Sequence, residues 1–325
     1  MLAHNAPHGA NDGAILQAPG PDVRGMRHIE SPERRIFAAM VKKLDDSVGD
    51  VVESLSQKGI LNNTIILFIS DNGAMTSGAS INYGNNWPLR GLKWSPFEGG
   101  IRVTGALWAP EKISNHLYEG YIHVSDWLPT LLTAIGEKPP NNIDGLNLWG
   151  ALINNQDNNR HEIIEIDDVT GFASIILDEF KLHTGNVVPT YSNYQGEDYL
   201  GIIGNGPSYM HAIMNCKSFK IFNDLGEAVK IENMKVRERI KINCEMSDFV
   251  NNQDCYPAHG KVCLYNIKED PCERNDLSLE YPDIVSKLSI RLECEKQRVV
   301  PRVTPILRDP KSNPALHNYT WNIFK

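Results

Sequence analysis

The sequence has no cysteine in its first 215 residues, and all six of its cysteines lie between Cys216 and Cys294. None of them forms a C-x-x-C pair, which excludes the paired spacing typical of a zinc site. An even number of cysteines confined to one region predicts disulfide bonds formed in an oxidising compartment, with fifteen possible pairings. Free cysteines in a reducing compartment are the alternative.

A run of basic residues is also absent, and the 325 residues carry a net charge of −8 with a sequence pI near 5.7. Because nucleic acids bind mainly to basic surfaces, this composition argues against a nucleic-acid partner. An anionic ligand would have to be held by a local pocket of positive charge, against the overall field. The chain is long enough for two domains.

No apolar run is long enough to span a bilayer, and the first eight residues lack the charged start and apolar centre of a signal peptide. Two sequons, Asn62-Asn-Thr64 and Asn318-Tyr-Thr320, nevertheless fit passage through the secretory pathway. Together with the cysteines, they predict a lysosomal or secreted protein whose beginning, including the signal peptide, is missing from this sequence.

The most informative stretch begins at Thr64, where an apolar, β-branched run is stopped by Asp71-Asn72-Gly73. Such a run predicts a buried parallel strand, and ligands bind at the carboxyl ends of these strands in open α/β sheets. Asp71 and Asn72 supply only oxygen donors, the ligand type of calcium or magnesium. The alternative is a turn in which both side chains cap the backbone.

The segment from Gly84 to Gly100 is rich in glycine, proline and aromatic residues, which fits neither a helix nor a strand. This composition predicts an ordered loop whose backbone can approach a ligand. Lys93 is the first candidate for binding an anion, and Arg90 is the second. The alternative is that Lys93 is a solvated surface residue.

Helix signals surround this stretch. Ser31 followed by Pro32 predicts the start of an amphipathic helix that ends at Lys58-Gly59 and leads into the strand, forming an α/β unit. A second strand is predicted from 101 to 110. A further helix begins near Ile122, with Ser125 or Asp126 as its N-cap. For His123 and Asp126 we favour capping and packing over a proton relay.

The polar stretch 154–160 predicts a domain boundary, which divides the chain into residues 1–160 and 161–325. Beyond it, strand-like runs occur at 174–182 and 262–267, and a helix is predicted at 281–299. We therefore expect a smaller antiparallel sheet with a terminal helix. The region 187–243 shows no interpretable period.

Several motifs in order resemble the type I sulfatases, in particular the arylsulfatase B group. They are Asp71-Asn72-Gly73, Asn85-Asn-Trp-Pro-Leu-Arg-Gly-Leu-Lys93-Trp-Ser, Glu98-Gly-Gly, His123-Val-Ser-Asp-Trp-Leu-Pro-Thr130 and Leu264-Tyr-Asn-Ile-Lys-Glu-Asp-Pro-Cys-Glu-Arg-Asn-Asp-Leu277. The resemblance implies an α/β, alkaline-phosphatase-like sulfatase fold. Its partial central mixed sheet would be flanked by helices and followed by a smaller C-terminal antiparallel-sheet domain with a helix.

The same resemblance implies the roles of four side chains. Asp71 and Asn72 match two ligands of a divalent cation, typically Ca²⁺. Lys93 and His8 match the groups that hold the sulfate and assist the leaving oxygen, whereas His4 has no comparable support. The implied reaction is hydrolysis of sulfate esters by a formylglycine and metal mechanism. Its substrates would be aryl sulfates or sulfated glycosaminoglycans, in particular the N-acetylgalactosamine 4-sulfate of dermatan and chondroitin sulfate.

The chain departs from this family because it has no Cys-x-Pro/Ser-x-Arg motif, from which formylglycine is made. Cys255-Tyr-Pro-Ala-His259 is similar only superficially, since it ends in His and lies in the C-terminal region. We therefore expect an N-terminally truncated, inactive fragment of a sulfatase. The alternatives are a degenerate sulfatase-like protein that binds sulfated glycans, and a phosphoesterase of the same fold. The sequence leaves the exact sugar and the oligomeric state open.

Overall fold

A computed structural model describes residues 1–10, 13–78, 81–192, 206–226, 236–242, 244, 255–257, 260–300 and 310–320. Its helices are α1 (Gly20–Gly25), α2 (Pro32–Gln57), α3 (Glu98–Ile101), α4 (Trp127–Ala134), α5 (Trp149–Asn154), α6 (Tyr209–Asn215), α7 (Lys217–Asp224), α8 (Val236–Arg239) and α9 (Pro282–Lys296). Its strands are β1 (Ile66–Ile69), β2 (Gly105–Trp108), β3 (Glu162–Asp167), β4 (Phe172–Leu177), β5 (Phe180–Gly185) and β6 (Cys263–Asn266). Short 3₁₀ turns lie at Leu61–Asn63, Val124–Asp126, Pro189–Tyr191, Pro310–Ser312 and Pro314–His317.

The predicted first helix is confirmed as α2. The hydroxyl of Ser31 accepts a hydrogen bond from the backbone N–H of Arg34, and Pro32 occupies the first helical position. The helix ends at Lys58, and Gly59 follows with a positive φ of 67°. Local capping chemistry therefore determines both ends of this helix.

Strand β1 corrects one prediction, because it is neither parallel nor fully buried. It pairs antiparallel with β2, with Ile66 opposite Trp108 and Ile69 opposite Gly105. The chain turns back through the intervening loop, so the two strands run in opposite directions. Within the described residues β1 has this one neighbouring strand, and Ile69 stays 40% exposed.

The second sheet follows the predicted type. Strands β3, β4, β5 and β6 lie in that order, all antiparallel, and α9 packs against one face. The run 174–182, predicted as one strand, is instead the end of β4 and the start of β5, because the chain turns at Asp178 with a φ of 55°. Leu288 and Leu292 of α9 are buried against Ile175, Leu182 and Leu264.

The opposite face of this sheet contacts residues 84–100, which we call the Lys93 loop. Phe97 is completely buried there in one cluster with Phe172, Ile176 and Tyr265. The Lys93 loop is thus packed between the segment that follows β1 and the C-terminal sheet. This packing determines where its side chains lie.

Asp126, one of the two predicted candidates, occupies the N-cap position of α4, but its side chain makes no cap hydrogen bond to that helix. His123 caps the 3₁₀ turn before α4, and its backbone N–H donates to Oδ2 of Asp126 at 2.8 Å. Asp126 also accepts a bond of 2.5 Å from Arg160. Burial, with Arg160 adding to it, lowers the pKa of His123. This geometry agrees with capping and packing for the pair.

In the described residues, Cys244 is bonded to Cys272 and Cys255 to Cys263, whereas Cys216 and Cys294 are free thiols.

Helix α5 ends at Asn154 and β3 begins at Glu162, on either side of the predicted domain boundary. Within the described part of the chain, no helix combines the length and the apolar composition that crossing a bilayer requires.

Candidate active site

Asp71 and Asn72 follow β1 directly, as the sequence predicts. Their segment is fixed by its backbone, since Ser70 N donates to Thr104 O at 3.1 Å and Gly73 N donates to Gly100 O at 2.8 Å. The Asn72 amide nitrogen donates to Gly73 O, which orients the carboxamide. Asp71 is exposed and Asn72 is half-buried, so both can contact a ligand from solvent.

Gly73 allows the Lys93 loop to approach this segment. A Cβ atom at position 73 would lie 1.8 Å from the carbonyl oxygen of Gly99. Only glycine therefore permits the observed contact between the two backbones. The position of Asp71 and Asn72 relative to the loop depends on this contact.

Asn86 fixes the loop from the other side, a role that the sequence analysis did not predict. Its side chain accepts from Ala74 N at 2.8 Å and donates to Ala74 O at 2.9 Å and Gly91 O at 3.1 Å. The backbone N–H of Lys93 also donates to Ala74 O, at 3.3 Å. These bonds hold Lys93 beside the Asp71–Asn72 segment.

Asp71, Asn72 and Lys93 line one open cavity of about 440 Å³. Strand β3 supplies part of the opposite wall through Glu165 and Asp167. The cavity therefore lies between the end of β1, the Lys93 loop and the C-terminal sheet. Three carboxyl groups, one carboxamide and one ammonium group meet there.

His8 contacts the same ammonium group. Its Nε2 lies 3.4 Å from Nζ of Lys93, and its Nδ1 lies 2.5 Å from the carbonyl oxygen of Gly9. Because a carbonyl oxygen only accepts, Nδ1 carries a proton and Nε2 is the nitrogen that faces Lys93. His4 is exposed and lies in the same N-terminal segment.

Arg90 is not an anion-binding residue, in contrast to its prediction as the second candidate. It is 1% exposed, and its guanidinium donates to Ser192 O, Tyr265 Oη, Glu273 O and Cys255 O at 2.5–3.1 Å. Its charge centre also lies 4.3 Å from the centre of the Phe97 ring. Arg90 instead joins the Lys93 loop to the C-terminal sheet.

A buried network of charged side chains also connects the Lys93 loop to the C-terminal sheet. Lys181 lies 2.6 Å from Glu98 Oε1 and 3.1 Å from Glu273 Oε1, and His183 Nε2 lies 2.7 Å from the same Glu273 oxygen. Burial opposes ionisation of Glu273, but Lys181 and His183 outweigh it and lower its pKa to about 2. Burial likewise opposes the charge of Lys181, yet Glu273 and Glu98 raise its pKa. The charged pairs are thus mutually compensated.

Glu165 is a cavity residue that sequence reasoning missed. Burial raises its pKa to about 7, and the negative charges of Glu98 and Asp167 add to this effect while Lys181 opposes it. The spacing of the acids in β3 is the signal that could have found it, because Glu165 and Asp167 are two residues apart and so lie on the same face of that strand.

The two predicted metal ligands are of the chemical type that calcium binds, but they are too few to form a complete site. Asp71 and Asn72 supply oxygen donors, whereas calcium takes about six to eight oxygen ligands. Across the described ranges, no group of three or more histidine, cysteine, aspartate or glutamate side chains is arranged to hold a metal ion. These residues alone would not complete a calcium site, and we derive no chemical step through a metal.

The segment that begins at Cys255, which superficially resembles the formylglycine motif, cannot be activated in that way. Cys255 is disulfide-bonded to Cys263 and buried, so it has no thiol available for oxidation to formylglycine. The last residue of that motif, His259, lies outside the described residues.

Comparison with solved structures identifies the fold class. The crystal structure of Ps i-CgsB superposes with a TM-score of 0.60 at 23% identity, covering 90% of this chain and 49% of that one. A Bacteroides thetaiotaomicron structure, described within the metabolism of multiple glycosaminoglycans, superposes with a TM-score of 0.53 at 17% identity. It covers 81% of this chain and 45% of that one. The fold is the alkaline-phosphatase-like sulfatase fold.

Sequence comparison finds similarity to the sulfatases. Residues 3–137 match the Sulfatase family model. Arylsulfatase J of Mus musculus is 31% identical over 98% of this chain and 48% of its own length. N-acetylgalactosamine-6-sulfatase of Homo sapiens is 30% identical over 51% of this chain and 32% of its own length. The chain thus spans about half or less of the length of these relatives.

Proposed function

We propose that this chain is part of a sulfuric ester hydrolase that removes sulfate from sulfated sugars. The observation that supports it most directly is the meeting of Asp71, Asn72 and Lys93 at one cavity, with His8 in contact with Lys93. A sulfate ester is an anion that needs such a local positive charge in a chain of net charge −8.

Each of the four residues has a defined part in this proposal. Lys93 places a point charge against the sulfate oxygens, and His8 either shares that contact or protonates the leaving oxygen. Asp71 and Asn72 supply two of the oxygen ligands of a calcium ion, which would neutralise sulfate oxygens when bound. Its further ligands would come from sequence outside these 325 residues.

The nucleophile is proposed to come from outside these residues as well. A formylglycine requires Cys-x-Pro/Ser-x-Arg, and no such motif is encoded here. We therefore expect this chain by itself to be inactive and to bind calcium weakly. The longer protein would enter the secretory pathway, for secretion or delivery to the lysosome, and residues 1–160 and 161–325 would form its catalytic and C-terminal domains.

The proposed substrate is N-acetylgalactosamine 4-sulfate, as in dermatan and chondroitin sulfate, on the basis of the motif resemblance to the arylsulfatase B group. Several relatives are named N-acetylgalactosamine-6-sulfatase, so the 6-sulfate is the natural competitor in any assay. An aryl sulfate and an aryl phosphate, tested side by side, would separate sulfatase from phosphoesterase activity.

The first test is the transcript upstream of Met1. We expect an open frame that carries a signal peptide, a pair of aspartates at a strand end and Cys-x-Pro/Ser-x-Arg. The protein made from that frame should release sulfate from the 4-sulfated sugar, and Lys93→Ala should slow it by about two to three orders of magnitude. Lys112→Ala, which changes an exposed lysine away from the cavity, is the matched control.

A stop codon directly upstream of Met1 would contradict this proposal. In that case the second function, a sulfatase-like module that binds sulfated glycans without hydrolysis, becomes the better explanation. It is favoured by a chain that retains Lys93 and His8 while lacking the nucleophile motif. It requires saturable binding of a sulfated glycan with no sulfate release.

A further inference from the structure

One wall of the cavity comes from a part of the chain that the reaction as proposed does not use. Strand β3 and the start of β4 contribute Glu165, Ile166, Asp167 and Phe172, opposite the wall that carries Lys93. A sulfate ion is too small to need a cavity of about 440 Å³. The cavity therefore has room for the group to which the sulfate is attached as well as for the sulfate.

The carboxyl groups of Glu165 and Asp167 differ in whether they are free to hydrogen-bond a ligand. Oδ1 of Asp167 accepts from the backbone of Val169 at 2.8 Å and of Thr170 at 3.2 Å, so Asp167 is engaged in the β3–β4 turn. The carboxyl group of Glu165 makes no hydrogen bond or ion pair within the ranges that the structure describes. The carboxyl group of Glu165 is therefore available to a ligand, whereas that of Asp167 is already engaged.

The raised pKa of Glu165 has a chemical consequence for such a ligand. Burial, together with the charges of Glu98, Asp167 and Glu273, favours the neutral acid against the opposing effect of Lys181. A neutral carboxyl group both donates and accepts a hydrogen bond, which matches the hydroxyl and acetamido groups of a sugar.

Trp94 supplies an aromatic surface in the same cavity. It lines the same cavity and is 45% exposed, and its ring centre lies 6.0 Å from Nζ of Lys93. Its φ of 71° and its ring contact with Tyr191 at 6.3 Å set its orientation. An exposed aromatic ring beside polar groups is suited to the C–H face of a sugar ring.

We propose that Glu165 is a specificity-determining residue, which hydrogen-bonds a hydroxyl or acetamido group of an uncharged sugar ring whose sulfate is held at Lys93 and whose face lies on Trp94. The inference rests on the proposed function. Asp167, whose negative charge also lines the cavity, disfavours a carboxylated ring, because the two like charges would face each other. The substrate class is therefore a sulfated neutral hexosamine rather than a sulfated uronic acid.

The experiment measures the affinity of the chain for three probes by calorimetry: N-acetylgalactosamine 4-sulfate, a 2-sulfated uronic acid and inorganic sulfate. Glu165→Ala should weaken binding of the sulfated hexosamine about tenfold, as expected for a lost hydrogen bond to a buried group. It should leave inorganic sulfate unchanged. Glu165→Gln keeps a donor and an acceptor without a charge, so it should retain the hexosamine affinity, and the wild-type chain should bind the uronic acid more weakly than the hexosamine.

Asp168→Asn is the matched control, because Asp168 is an exposed acid that directly follows β3 and does not line the cavity.

Unchanged hexosamine affinity in Glu165→Ala would overturn the inference, and so would a wild-type chain that binds no sugar. An equal loss for inorganic sulfate would also overturn it, because Glu165 would then support the whole site. If Glu165→Ala does not fold, a wild-type chain that binds the uronic acid as tightly as the hexosamine decides against the inference, and so does Glu165→Gln with a loss of hexosamine affinity. Failure of the proposed function is seen separately, as inorganic sulfate binding that does not depend on Lys93.

Discussion

The ammonium nitrogen of Lys93 lies 3.4 Å from Nε2 of His8, although 85 residues separate the two along the chain. The two side chains come from different segments, the N-terminal stretch and the Lys93 loop. Their contact makes the candidate anion site a product of tertiary packing. It also predicts that the two residues act on an anion together.

We expect His8→Ala to weaken inorganic sulfate binding about fivefold, the effect of losing one hydrogen bond of about 1 kcal/mol. Lys93→Ala should have the larger effect, because it removes the charge. The double variant should lose less than the sum of the two single variants, because they share one contact. Calorimetric titration with sulfate measures all three. His4→Ala is the control, and strict additivity would contradict a shared site.

Asn86 should act as a positioning residue for Lys93. Asn86→Ala removes three bonds to the backbone of Ala74 and Gly91, so we expect a loss of about 1–3 kcal/mol in the free energy of unfolding. Sulfate affinity should fall as well, because Lys93 loses its fixed position. Urea denaturation and sulfate titration measure the two effects. Asn154→Ala, at an exposed helix end, should change neither; a variant that loses stability but keeps full sulfate affinity would refute the positioning role.

The sequence predicts best what local chemistry determines. The cap at Ser31 and the glycine after Lys58 fix α2, and Asp71-Asn72-Gly73 marks the end of β1. It could not distinguish Lys93 from Arg90, because both are cations three residues apart in one loop. What separates them is the C-terminal sheet, whose Tyr265 lies 175 residues beyond Arg90 and accepts a hydrogen bond from it.

The direction of β1 and the role of Glu165 were missed for related reasons. Apolar composition indicates burial, but it does not specify which neighbour a strand pairs with, and here β2 returns beside β1. Glu165 lies in a strand whose mixture of acidic and apolar residues does not by itself mark a ligand-binding position. Its importance arises from the Lys93 loop, which lines the same cavity and is distant in the sequence.

Arg90 should be important for stability. Arg90→Lys cannot reproduce four hydrogen bonds from one guanidinium, so we expect a loss of about 3–5 kcal/mol in the free energy of unfolding. Chemical denaturation monitored by fluorescence measures it. Arg102→Lys is the control, since Arg102 is half-exposed and its contact with Glu98 is long at 3.7 Å. A loss at position 90 no greater than that at position 102 would show that Arg90 does not join the two parts.

The cysteines should fall into two groups in an alkylation experiment without reductant. Cys294 is exposed and Cys216 is half-buried, so iodoacetamide should label Cys294 first and Cys216 more slowly. The four cysteines of the two disulfides should react only after reduction. Mass spectrometry of the peptides identifies the labelled sites. Labelling of Cys255 without reduction would contradict its pairing and reopen the question of its modification.

The buried network should make the protein less stable in acid. Burial, with Lys181 and Arg90 adding to it, lowers the pKa of His183 from its ordinary 6.5 to about 4. The unfolded state therefore takes up a proton at a higher pH than the folded state does. The stability that His183 contributes is complete above pH 6.5 and is lost as the pH falls towards 4, by up to about 3 kcal/mol. Glu273, with its pKa lowered to about 2, adds a further loss below pH 4.5.

His183→Gln tests this origin directly, because glutamine keeps a donor for Glu273 but does not titrate. Urea denaturation at several values between pH 7 and pH 4 should show a steep decline in the free energy of unfolding for the wild type and a shallower one for the variant. His211→Gln, at an exposed position in α6, should follow the wild type. If His183→Gln declines as steeply as the wild type does, acid sensitivity arises outside this network, and the contact between the Lys93 loop and the C-terminal sheet is independent of pH in this range.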